Sequence, residues 1–347
     1  MIIKPKAYNI NIVLFRDCNF RCNFCYQNGM NPGMNKKYIK SIYNKLRQTI
    51  LSDQGIEWLR KQNFEYIHLG FSGGEIFRDE TPDWVYYEII NIYDNIKKRI
   101  KETLNIPVNL FFMSNGYLPL EDDRYISWFD WFNTKVSVEF SYDRSGRFTT
   151  EEQRQKVLAN IRRFHSAGYL RSVTITLTKD NVQDIDYLLD IPKDISINTS
   201  YYYPVNNHIP IPTNEELFNF FKMAYDNDIN IDTLRNIKKG IIEEYCQPAI
   251  LLLPGMTEIP YEFDYCGQYS VIKTLYKGDI RDYFNRYDEL ISRKSSEDLG
   301  KELMGCMYCE YADKCPKICF LEAMQKQYDI NSECFLKKLI PYIERKK

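Results

Sequence analysis

The sequence predicts an α/β fold, a partial (β/α)6 barrel of the TIM type. Short apolar runs alternate with amphipathic stretches of helical period, the order that parallel strands joined by helical crossovers require. One run, VNLFFMS (108 to 114), is almost wholly apolar, as befits a strand covered on both faces. At 347 residues the chain can hold one large domain and a smaller one.

Six strands are expected in order: YNINIVLF (8 to 15), YIHLGFS (66 to 72), VNLFFMS (108 to 114), KVSVEFS (135 to 141), SVTITLT (172 to 178) and DISINTS (194 to 200). Helical stretches separate them. In EEQRQKVLANIRRFHSAG, Val157, Ile161 and Phe164 recur at helical spacing and Gly168 supplies the stop. In parallel α/β architectures the chemistry collects at the carboxyl ends of the strands. There the first strand runs into DCNFRCNFCY, with Cys18, Cys22 and Cys25 spaced CxxxCxxC.

Three thiols in one tight loop match neither a disulfide framework nor a closed four-ligand zinc site. They suit a cubane iron-sulfur cluster with one iron left for a ligand that is not protein. A zinc loop with its fourth ligand elsewhere, or thiols buried as small apolar groups, are the alternatives. The second strand ends in FSGGEIF, where two glycines permit close backbone approach and Glu75 can accept from a ligand ammonium. Taken singly this is also a plain strand-to-helix turn. The next strands end in SNG (114 to 116) and SYD (141 to 143), so small polar residues recur around one mouth.

Composition narrows the setting. Ten cysteines, clustered rather than spread, favour metal binding under reducing conditions over a disulfide scaffold. A net charge of -1 provides no basic field for nucleic acid. The start, MIIKPKAYNINIVLF, is interrupted by Asn9 and Asn11 and lacks a cleavage site, so it reads as a strand and not a signal peptide. The longest apolar run elsewhere, AILLL (249 to 253), is far short of the roughly 20 residues of a membrane span. A soluble cytoplasmic protein is expected.

A first strand ending in CxxxCxxC plus an aromatic, a second ending in GGE and a third ending in a Thr-Asn-Gly-like turn together resemble the radical S-adenosylmethionine (SAM) enzymes over roughly residues 8 to 205. The resemblance implies that Cys18, Cys22 and Cys25 hold a [4Fe-4S] cluster whose open iron takes the amino and carboxylate groups of SAM. It implies that Gly73, Gly74 and Glu75 hold the methionine amine, that Tyr26 lies near the adenine, and that Ser114 and Asn115 line the SAM pocket. Ser141 and Asp143 match the family's Ser-x-Asp-Gly, with Arg144 in place of the glycine.

The other seven cysteines lie beyond residue 245. Cys306, Cys309, Cys315 and Cys319 read CxxCx5CxxxC and Cys334 follows, a pattern similar to the SPASM extension of radical SAM enzymes, which binds one or two auxiliary [4Fe-4S] clusters. A zinc knuckle is the alternative. By the resemblance, Cys306, Cys309, Cys315 and Cys334 hold the distal cluster, and Cys319 with Cys266 and Cys246 the proximal one. The family's cysteine, expected after four intervening residues beyond Gly278, is missing, since position 283 is Tyr, which leaves Tyr283 or Asp282 as an oxygen ligand or an iron without one. The expected division is a radical SAM core over 1 to 205, a helical linker over 206 to 245 and a small cysteine-rich auxiliary-cluster domain over 246 to 347.

The resemblance implies an oxidoreductase that cleaves SAM to a deoxyadenosyl radical and abstracts hydrogen from a ribosomally made precursor peptide, forming a crosslink. Its partners would be that peptide, a flavodoxin or ferredoxin electron donor and a possible separate leader-binding protein; with no leader-binding domain expected before the first barrel strand, leader recognition falls to that partner, the barrel rim or the SPASM region. An anaerobic sulfatase-maturating oxidase is a second reading, weakened by Phe284 where that family has its catalytic Asp. A non-catalytic metal protein that binds partners through its 28 tyrosines is a third.

Overall fold

In the first strand Tyr8, Ile10 and Ile12 alternate with Asn9 and Asn11, and the apolar set is wholly buried. A computed structural model describes residues 2–3, 7–25, 33–119, 124–132, 134–201, 209–240, 242–243, 249–254, 261–264, 310, 311, 315 and 334–346. The short strand β1 (Ile2–Ile3) is followed by β2 (Ala7–Val13), β3 (Tyr66–Ser72), β4 (Val108–Ser114), β5 (Val136–Ser141), β6 (Leu170–Leu177) and β7 (Ser196–Tyr201). β2 stops two residues short of its expected end. Leu14 still donates to the Ser72 carbonyl, at 2.9 Å, before the chain turns into the cysteine loop. β6 begins two residues earlier than its apolar run suggests, because a register shift between Val138 and Glu139 of β5 admits an extra residue opposite them.

Strands β2 to β7 pair in chain order, all parallel, as the barrel reading requires. Two further strands complete the eight-stranded sheet. The apolar run AILLL becomes β9 (Ala249–Pro254), parallel to β2, and β10 (Tyr261–Asp264) pairs antiparallel outside it. Both fall in the stretch expected to belong to the auxiliary-cluster domain. A two-residue strand, β8 (Ile242–Glu243), pairs with β1.

The connecting helices are α1 (Lys36–Arg47), α2 (Asp53–Gln62), α3 (Asp83–Thr103), α4 (Arg124–Asp130), α5 (Glu151–Ser166) and α6 (Asp186–Leu189). α5 matches its expected stretch: Thr150 caps it through the Gln153 amide, and Gly168 ends it at a φ of 78°. Beyond β7 come α7 (Asn214–Asp226) and α8 (Asp232–Lys239), then α9 (Phe335–Glu344), which returns to lay Phe335 flat against Phe221 at 5.4 Å between ring centroids.

The two faces of the sheet differ in chemistry. Phe71 and Phe112 point toward the helices and pack with Phe77, Trp128 and Phe129 in an aromatic core. Side chains alternate along a strand, so the intervening residues line the opposite, inner face. That face is largely polar: it carries Asn9 and Asn11, His68, Ser137, Glu139 and Ser141, and Ser172 and Thr174, with Phe111 and Met113 of β4 as apolar exceptions. Among the described residues no helix is long and apolar enough to cross a membrane.

Candidate active site

The CxxxCxxC loop is built on aromatic packing. Phe20, Cys22 and Phe24 are buried together, and Phe20 meets Tyr117 at 5.3 Å and Phe148 at 5.8 Å. These rings occupy the positions between the cysteines, so the loop folds inward on its phenylalanines while Cys18 and Cys25 stay half-buried. Three strand-end segments then clamp it.

The first clamp is the GGE turn after β3. The Gly74 amide donates to Phe15 O and the Glu75 amide to Asp17 O, each at 2.8 Å. A Cβ on Gly74 would stand 1.9 Å from the Asp17 carbonyl oxygen, so the turn passes against the cysteine loop at a distance only glycine allows. The close approach at Gly74 is therefore to the chain's own backbone.

Glu75 is 1% exposed. Its Oε1 accepts from the Phe77 amide at 2.8 Å and its Oε2 from the Asn115 amide at 2.6 Å, while the Ser114 hydroxyl lies 3.0 and 3.1 Å from the two oxygens. One carboxylate thus ties the end of β3 to the end of β4. Burial raises its pKa, and the donations from Asn115, Phe77 and Ser114 oppose that rise. Asn115 continues the link: its Nδ2 donates to Asn19 Oδ1 at 2.7 Å and reaches the Cys18 sulfur at 3.7 Å.

The last clamp follows β5. Gly146 accepts from the Asn23 amide at 3.0 Å in a left-handed conformation with φ of 79°, and a Cβ there would meet Asn23 Oδ1 at 2.1 Å. Asp143 is wholly buried and accepts from Arg147 Nε at 2.5 Å, the Thr176 amide at 2.6 Å and Asn181 Nδ2 at 3.3 Å. The Arg147 guanidinium lies over the Phe24 ring, 5.3 Å from its centroid. Burial opposes its charge, but Asp143 and then Cys22 outweigh this and leave the Arg147 pKa above its ordinary value. Arg144, in the place of the family glycine, pairs outward with Asp184.

Burial pushes the Cys22 thiol up to about 12, against the pull of Arg147, and raises Cys18 as well. Cys25 adds to the rise at Cys18 and at Cys22, and Cys18 adds to that at Cys22, so the sulfurs lie close enough to act on one another. Among the described residues no three His, Cys, Asp or Glu side chains converge on a single metal ion. A cubane does not require that, because each thiolate takes a different iron. Three thiols on one loop, packed beside a largely buried cation, fit an anionic cluster with one iron left open. Loading it would release the thiol protons.

The structure brings Cys18, Cys22, Cys25, Gly73, Gly74, Glu75, Ser114, Asn115 and Asp143 to one end of the sheet, with Ser141 half-buried on the inner face beside them. Cys315 and Cys334 are half-buried. Cys315 donates its amide to Tyr311 O at 2.8 Å, and Cys334 precedes α9 as its cap residue. Tyr26, Cys246, Cys266, Cys306, Cys309 and Cys319 lie outside the described residues, as do Tyr283 and Asp282. Sequence reasoning missed Arg147, Asn181, Asn19 and Gly146. Arg147 carried a faint signal, a cation four residues past an acid at a strand end, but nothing local marks the other three.

No family model matches the sequence, and no curated protein does. Solved structures do share the fold. The anSMEcpe structure with bound AdoMet and the Cp18Cys peptide superposes with a TM-score of 0.62 at 13% identity, over 98% of this chain and 97% of that one. Streptococcus suis SuiB bound to its precursor peptide SuiA gives 0.52 at 14% identity, over 91% and 72%. SuiB in a further crystal structure gives 0.50 at 14%, over 94% and 76%.

Proposed function

We propose that this chain is a radical SAM enzyme that modifies a peptide, with Cys18, Cys22 and Cys25 holding a [4Fe-4S] cluster. The observation that carries this reading is the clamped cysteine loop: three thiols at the carboxyl end of β2, stitched to the ends of β3, β4 and β5. The fold likeness to proteins solved with AdoMet and with peptides supports it. When bound, the cluster and SAM supply a radical that removes hydrogen from a carbon no protein base could deprotonate.

The chain's own residues do the positioning. Glu75 fixes the GGE backbone against the loop, so that Gly73, Gly74 and Glu75 present a rigid edge to the methionine amine. Asn115 aligns Cys18, Ser141 and Asp143 bound the pocket from β5, and Tyr26 completes it on the adenine side. Arg147 offsets the negative charge of thiolates taken out of water. Residues 1 to 205 form the core, 206 to 245 a linker, and the cysteines from Cys246 to Cys334 the auxiliary clusters. The product we favour is a crosslink in a ribosomally made peptide, with a flavodoxin or ferredoxin as electron donor. Oxidation of a protein side chain is a second reading, favoured by the nearly full-length match to anSMEcpe.

The test is anaerobic reconstitution followed by reduction with SAM. Deoxyadenosine should form in the parent and vanish in the Cys18→Ala, Cys22→Ala, Cys25→Ala triple variant, while iron held by the other cysteines remains. Deoxyadenosine made by the triple variant would refute the assignment.

A further inference from the structure

We infer that the inner face of the sheet at Glu139 is a subsite for a basic side chain of the peptide, its aliphatic stem on Met113 and its cationic head on Glu139 Oε1. This rests on the peptide-modifying reading above and names the chemistry of the segment that enters.

Glu139 is half-buried on the inner face of β5, two residues before Ser141. Its hydrogen bonds all fall on one oxygen: the Ser172 hydroxyl donates to Oε2 at 2.5 Å and Asn198 Nδ2 at 2.8 Å. Asn198 Nδ2 also reaches the Ser172 hydroxyl at 3.0 Å, which closes a three-residue network. The network holds the carboxylate in one orientation and supplies no charge. Among the described residues Oε1 has no hydrogen-bond partner and Glu139 no ion pair. Arg171, on the bulge of β6 beside Ser172, lies over the Phe111 ring at 5.4 Å instead.

One neighbour favours a segment that covers this patch. Met113, the register partner of Glu139 on β4, is 44% exposed, an unusual state for a large apolar side chain in mid-sheet. A segment that covers an oriented carboxylate must bring a compensating positive charge, or the cost of desolvation is unmet. Lysine and arginine combine an apolar stem with a cationic head, the pairing that Met113 and Glu139 present. Met113 immediately precedes Ser114 and Asn115, so the bound side chain would lie beside the candidate SAM pocket.

The probe is three pools of labelled short peptides, random except for one fixed position that is Lys, norleucine or Glu, titrated into the full-length protein with SAM present and followed by fluorescence anisotropy. The Lys pool should bind the parent about tenfold tighter than the norleucine pool, as a charge-assisted contact warrants. That preference should disappear in Glu139→Gln and turn toward the Glu pool in Glu139→Lys. Equal affinity of the parent for the Lys and norleucine pools overturns the inference, whatever the variants do. Weaker SAM binding in Glu139→Gln with the lysine preference kept also overturns it, and moves Glu139 into the SAM pocket. A parent that prefers lysine yet never cleaves SAM keeps the subsite and overturns the radical reading instead.

Discussion

Glu75, just past the end of β3, and Asp143, just past the end of β5, perform the same mechanical task with different partners. Each is buried, and each gathers donors from the neighbouring strand end. Glu75 is compensated by neutral donors, the amides of Phe77 and Asn115 and the Ser114 hydroxyl. Asp143 takes neutral donors too, but its shortest bond goes to a cation, Arg147. A carboxylate held by dipoles leaves its charge in place, whereas one paired with a guanidinium cancels it and orients the cation as well. The clamp at β3 and β4 thus sets backbone geometry. The clamp at β5 also places a positive group beside Cys22.

That difference orders the consequences of breaking each one. Asp143→Asn leaves Arg147 buried without its counter-charge, and loss of one partner from a buried pair costs about 3 to 5 kcal/mol. Urea unfolding of the metal-free protein should show it, with part of the loss recovered when Arg147→Leu is added. Glu75→Gln keeps one acceptor but turns an amide group toward the Asn115 or Phe77 N–H, so the smaller cost of an unsatisfied buried donor applies, about 1 to 3 kcal/mol. A Glu75→Gln loss equal to that of Asp143→Asn would erase the distinction. Gly146→Ala adds a Cβ at positive φ and against Asn23, with an expected cost of about 1 to 2 kcal/mol and weaker retention of iron by the loop.

A pH-dependent effect lies outside both clamps. His68, on the inner face, has its pKa lowered to about 4 by burial, with Arg171 and Lys135 adding to the shift. The unfolded chain binds this proton near 6.5 and the folded one only near 4. Between those values the unfolded state holds more protons, so stability should fall as pH drops through the window. His68→Gln should flatten that part of a denaturation profile. An unchanged profile would place the acid sensitivity elsewhere.

The strands were legible because apolar alternation and parallel order are written locally, and β3 and β4 fall where YIHLGFS and VNLFFMS place them. β9 was visible only as an apolar run, because nothing near AILLL says that it pairs with a strand some 240 residues earlier. The thiols and GGE announced themselves by spacing. The clamps did not, since Glu75 and Asn115, or Asp143 and Thr176, meet only through folding. Glu139 escaped notice for the same reason: a lone acid in KVSVEFS looks like one solvated position of an alternating strand, until Ser172 and Asn198 are seen to hold it.

The central claim is that Cys18, Cys22 and Cys25 hold a cluster with an iron open to SAM. Electron paramagnetic resonance of the reduced, reconstituted protein tests it most directly, in a background where Cys246, Cys266, Cys306, Cys309, Cys315, Cys319 and Cys334 are replaced by Ala. The account predicts a [4Fe-4S] signal that changes on addition of SAM and disappears when Cys18, Cys22 and Cys25 are also changed to Ala. A signal indifferent to SAM, or one that survives loss of those three thiols, would contradict it.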